Sequence, residues 1–75
     1  METRLDKAYL GKVYTIVNLQ LNDPKMTTRL KELGFISGNE IVVKAISPHH
    51  KTIIVALLGS MFALKTNIAK EVVIK

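Results

Sequence analysis

From Lys12 to Leu21 the chain alternates. Val13, Thr15, Val17, Leu19 and Leu21 fall on one side of an extended backbone, and Lys12, Tyr14, Ile16, Asn18 and Gln20 on the other. That period of two predicts a half-buried strand. Tyr14 and Ile16 leave the second side less than fully polar, so the strand is expected to curl in a barrel or to be partly covered by the N-terminal segment. The period then changes at Asn22-Asp23-Pro24, where Asp23 suits a helix cap and Pro24 the first helical position. Met26, Leu30 and Leu33 recur at helical spacing and make one apolar stripe. Gly34 is expected to end this helix in the left-handed conformation, with Phe35 and Ile36 folding back onto the stripe.

A turn at Ser37-Gly38-Asn39 leads into a second strand, Glu40 to Ile46, which is rich in β-branched residues. Ser47-Pro48-His49-His50-Lys51 breaks it, because Pro48 cannot donate to a ladder. Thr52 to Leu58 is apolar on both faces, and Leu58-Gly59-Ser60-Met61 reads as a hairpin with Gly59 supplying the positive φ of a type II′ turn. Met61 to Lys65 returns. The Thr66 hydroxyl is placed to cap a single helical turn, and Val72 to Ile74 resumes strand character. Five short strands and one short inserted α-helix make a mainly β domain. Strands this short most economically close as a small barrel, which removes exposed edges.

With 75 residues, the chain is read as one domain, 1–75, with room for a single core. It has no cysteine, so disulfide staples, thiolate zinc sites and cysteine nucleophiles are excluded. The first residues mix both charge signs and lack the apolar core of a secretory signal, and the Ile53–Leu58 run is far short of the ~20 residues of a membrane-spanning helix. A cytoplasmic protein is expected. The net charge of +5 favours an acidic partner, yet the basic residues are scattered and no block of like charge marks a tail.

Chemistry is sparse. His49 and His50 are the only histidines and the only candidate metal ligands, and adjacent side chains in extended chain point apart rather than converge on one ion. There is no glycine-rich phosphate loop, no Gly-x-Ser-x-Gly nucleophile turn and no close carboxylate pair, so the chain is not read as an enzyme. Tyr9, Tyr14, Phe35 and Phe62 are the only aromatic residues, too few for a base-stacking platform, which disfavours nucleic acid as a partner. Ile53 to Leu58 together with Leu33 to Ile36 exceeds what so small a core readily hides, and predicts an apolar patch for a protein partner or for self-association into a homo-oligomer.

The run Arg29-Leu30-Lys31-Glu32-Leu33-Gly34-Phe35-Ile36-Ser37-Gly38-Asn39-Glu40-Ile41-Val42-Val43 resembles the FeoA family, whose motif reads Arg-Leu, two residues, Leu-Gly, an apolar residue, two residues, Gly, and an alternating strand. Phe62-Ala63-Leu64, Ala69, Val72 and Ile74 resemble the closing segment of that family. The resemblance implies an SH3-like barrel and a non-enzymatic accessory protein of bacterial ferrous iron uptake. Such a protein docks on the cytoplasmic GTP-binding part of a FeoB-type transporter, modulates transport and meets the membrane only through that partner. Binding of a divalent transition metal is a family-level expectation, with no certain cofactor. Arg29, Lys31, Leu33 and Phe35 are the candidate docking residues, and Gly34 and Gly38 the structural glycines. Ser37 stands where the family often has Pro, and His49-His50-Lys51 fills a loop where many members carry Gly and acidic residues. The alternative is a free-standing metal-responsive or nucleic-acid-binding barrel, related to the C-terminal domain of iron-dependent repressors.

Overall fold

The computed structural model describes all residues, 1–75. Helix α1 (Pro24–Leu33) is framed by two local signals. Asp23 Oδ1 accepts from the backbone N–H groups of Lys25 and Met26 at 3.0 and 3.2 Å, satisfying donors that the first turn leaves free. At the other end Gly34 takes φ 110°, its N–H reaches the Lys31 carbonyl at 3.1 Å, and the Phe35 N–H reaches the Leu30 carbonyl at 3.0 Å. This is a Schellman cap. Its accompanying apolar contact joins Leu30 and Phe35, which are 2% and 1% exposed and belong to the same core cluster. Ile36, expected to fold back beside Phe35, instead points outward and is 50% exposed, because the chain turns away at Ser37-Gly38.

Six strands form one antiparallel sheet in the order β1-β6-β2-β3-β4-β5, with β1 Thr3–Arg4, β2 Val13–Leu19, β3 Glu40–Ile46, β4 Thr52–Leu57, β5 Ser60–Lys65 and β6 Val72–Ile74. This is the mainly β, small-barrel architecture expected, with one strand more. The additional β1 has only two residues, too few for any alternation to reveal; it pairs with β6 and is followed by a 3-10 turn, Leu5–Lys7, that buries Leu5.

The faces of β2 differ from the simple alternation. Tyr14 and Ile16 are buried and Val13 is exposed, so the even-numbered side faces the core. The pairing with β6 then skips a residue: Ile16 faces Ile74, while Asn18 faces Val73. Val17 is therefore a β-bulge, and one extra residue exchanges the faces. Beyond it Leu19 and Leu21 pack on the core, as their odd numbering suggested. A second register shift lies in β3 around Lys44. Both bulges bend the sheet over a core in which Ile41, Val43, Ile53, Val55 and Leu57 are almost fully buried.

The β4–β5 connection also departs from expectation. Leu57 pairs with Ser60, and both intervening residues have positive φ, 52° at Leu58 and 77° at Gly59. Two left-handed central residues define a type I′ turn rather than II′. Short helix α2 (Thr66–Ala69) follows β5, but the Thr66 hydroxyl does not cap it. It lies within hydrogen-bond reach of the Lys51 carbonyl at 3.5 Å, and the Thr66 N–H donates to the same oxygen at 3.0 Å.

Removing the Asp23 carboxylate tests how much α1 depends on its cap. Asp23→Ala is expected to lower unfolding free energy by about 1 kcal/mol in urea denaturation, with an unchanged m-value. No loss of stability would place the control of helix entry elsewhere.

Candidate functional site

Four segments meet at the C-terminal end of α1. The Gly34 carbonyl accepts from Asn39 Nδ2 at 2.8 Å, which ties the helix end to the following turn. That turn closes by Asn39 N–H to the Ile36 carbonyl, with Gly38 at φ 97°, and it joins β2 through Gly38 N–H to the Ile16 carbonyl at 2.9 Å. Ser37 precedes the left-handed Gly38, a position that tolerates serine as well as proline.

The fourth segment is the β4–β5 turn, which lies over the helix end. A Cβ built on Gly34 would come within 2.5 Å of Leu58 Cδ1 and 3.6 Å of Leu57 Cδ2, so Gly34 is needed both for its positive φ and for close approach. Leu57 is buried, whereas Leu58 is 67% exposed. Leu33 and Ile36 flank the same glycine in sequence and are 40% and 50% exposed. Together these side chains make an exposed apolar patch, the excess expected from the Leu33–Ile36 and Ile53–Leu58 runs.

The candidate docking residues divide here. Leu33 lies in the patch, and Arg29 and Lys31 are exposed on α1. Phe35 does not belong with them. It is 1% exposed and packs at 6.0 Å between ring centroids against Phe62, so its side chain serves the core and offers no surface to a partner. Leu58 and Ile36, which the sequence placed in the two apolar runs but not among the docking residues, join Leu33 in the patch. The signal for Leu58 was a large apolar side chain at a turn position that favours Asn, Asp or Gly. A β-carbon in the left-handed region costs on the order of 1–2 kcal/mol.

His49 and His50 sit side by side in the exposed Ser47–Lys51 turn, which is closed by His50 N–H to the Ser47 carbonyl and by Ser47 Oγ accepting from Lys51 and Thr52. No group of three or more His, Asp or Glu side chains comes together in the fold. The two imidazoles therefore lack a converging third donor within one chain.

A depression runs along α1. It encloses about 420 Å³ between the helix and the β5–α2 segment, lined by apolar side chains that include Leu30, Leu33, Leu64 and Ile68, with Arg29 and Lys65 as its charged residues.

The FeoA domain model matches residues 3–75. The chain belongs to the FeoA family. Among solved structures it is similar to FeoA of Stenotrophomonas maltophilia complexed with zinc, described as an SH3 domain protein and a candidate activating factor of bacterial ferrous iron transport. The two share 28% identity over 97% of this chain and 89% of that one, with a TM-score of 0.85. FeoA from Chlorobium tepidum superposes with a TM-score of 0.89 at 21% identity, over 96% of this chain and 68% of that one. A manganese-dependent transcriptional repressor in complex with manganese shares the fold over 99% of this chain, at a TM-score of 0.88 and 20% identity, but the match spans only 36% of the repressor. No curated protein sequence matches the chain significantly. No helix of this FeoA protein is long and apolar enough to cross a membrane.

The dual demand on Gly34 has a measurable consequence. Gly34→Ala is expected to cost about 1–3 kcal/mol, because alanine must adopt the positive φ while displacing the Leu58 methyl. Pairing it with Leu58→Ala in a double-mutant cycle should recover the steric part and leave the backbone part. Full recovery would mean that backbone strain at residue 34 contributes nothing.

Proposed function

We propose that this FeoA protein is a non-enzymatic, cytoplasmic accessory factor of bacterial ferrous iron uptake that docks on the cytoplasmic GTP-binding part of a FeoB-type transporter and modulates transport. Membership of the family and the likeness to FeoA structures support the role in ferrous iron transport. The docking reading is carried by one observation. Leu58 is held exposed and left-handed on Gly34, beside Leu33 and Ile36. A turn that keeps an exposed leucine where asparagine would be less strained is better explained by contact with a partner than by folding.

Arg29 and Lys31 give the helix side of this face a positive charge, which suits an acidic counterpart and accelerates encounter more than it tightens the complex. The apolar residues supply the main binding free energy, as buried central contacts generally do. Phe35 acts only indirectly, by holding the helix end in place. The likeness to repressor domains is one of fold and favours neither metal sensing nor nucleic-acid binding. A transition metal held through His49 or His50 would draw its remaining donors from a second molecule.

Leu58→Asn separates docking from folding, since asparagine tolerates the left-handed conformation. Calorimetric titration with the cytoplasmic transporter domain should give roughly tenfold or weaker binding for this variant, with its thermal stability retained. Arg29→Glu should weaken binding less and make it less salt-sensitive. Full-strength binding by a folded Leu58→Asn protein would contradict the proposal.

A further inference from the structure

Strand β5 ends the sheet. It pairs with β4 alone, and its six residues contrast with the two of β1 at the opposite end. The direction of its backbone groups follows from the register. In a two-residue hairpin the flanking pair, Leu57 and Ser60, exchanges both hydrogen bonds, and hydrogen-bonded and non-hydrogen-bonded pairs then alternate. Ser60, Phe62 and Leu64 therefore donate toward β4. Thr66 confirms the phase, because its N–H reaches Lys51 across the same ladder. Met61, Ala63 and Lys65 accordingly turn their N–H groups outward, and all three residues are exposed.

Edge strands are usually blunted by proline, by inward charges or by bulges. β5 has no proline, pairs with β4 without a register shift, and carries a single charge, Lys65, at its far end. The 420 Å³ groove lies alongside this free edge, with Leu30 and Leu33 of α1 facing Leu64 and Ile68 across it. Its only charged side chains are Arg29 and Lys65, both positive.

We propose that the free edge of β5 takes up an extended, acidic segment of a partner protein by strand addition, with alternate apolar side chains of that segment seated in the groove beside α1. Main-chain donors in a row specify an extended guest, since a helix has no free backbone groups to meet them. Apolar walls select apolar residues at every second position, and Arg29 and Lys65 select carboxylates. A second copy of this chain is a poorer occupant, because a two-fold pairing of β5 strands would bring the Arg29 and Lys65 of both copies into one groove. From Met61 to Lys65 the edge spans about 14 Å, the length of roughly five residues of an added strand. The inference does not depend on a transporter being the partner. It shares Arg29 and Leu33 with the face built around Leu58 and extends from them to β5.

The test is selection of a phage-displayed library of random peptides, about eight residues long to span the edge, on the intact protein. Enriched peptides are expected to alternate β-branched and acidic residues, and a bound representative should slow hydrogen exchange at the Met61 and Ala63 amides. Ala63→Pro removes one outward donor and should weaken that peptide about tenfold, while Leu58→Asn leaves its affinity unchanged. Should Ala63→Pro fail to fold, the Arg29→Glu, Lys65→Glu double variant replaces it and is expected to enrich basic peptides. No enrichment, winners without acidic residues, protection confined to other amides, or self-association that occupies β5 would each overturn the proposal.

Discussion

Gly34, left-handed and with no room for a Cβ, is the constraint on which the rest of the structure depends. A left-handed residue must end α1 there so that Phe35 can enter the core under Leu30, and a residue without Cβ must lie there so that the β4–β5 turn can close over the helix. Both demands fall on one position. The Asn39 bond to the Gly34 carbonyl and the Gly38 bond to Ile16 then lock the same helix end to β2. Helix, bulged strand and hairpin are registered against one another at a point only a few residues wide.

What the core does not absorb is set by that registration. The interior takes Phe35, Leu57 and the inward residues of β3 and β4, leaving Leu33, Ile36 and Leu58 outside. Exposed apolar side chains are ordinary when scattered, but these surround one glycine, and one of them occupies a strained turn position. Strain of about 1–2 kcal/mol is substantial for a domain of this size, whose total stability is of the order of 5–10 kcal/mol. Its retention on the surface is the observation on which the proposed docking role rests.

Local chemistry was legible in the sequence and tertiary geometry was not. The Asp23-Pro24 start and Gly34 stop of α1 could be read because capping involves residues within one turn, and β3 could be bounded because β-branched residues fill it from Glu40 to Ile46. The face of β2 could not. A bulge at Val17 leaves the alternation of the sequence intact while exchanging which side meets the core, so Tyr14 and Ile16 are inside where Val13 is not. The proposed docking face was legible in part: the FeoA-like motif drew attention to Leu33, Arg29 and Lys31, but Leu58 joins them only through the hairpin. The free edge of β5 depends on sheet order, which short strands do not specify.

The central claim, that the surface around the Gly34–Leu58 junction is what a partner meets, is tested most directly by a two-dimensional amide NMR titration of the isotope-labelled protein with the cytoplasmic domain of a ferrous iron transporter, with and without guanine nucleotide. The account predicts shifts concentrated at residues 33–38 and at Leu58 and Gly59, leaving the His49–Lys51 turn unmoved. Shifts confined to that turn, or none at concentrations well above micromolar, would contradict it.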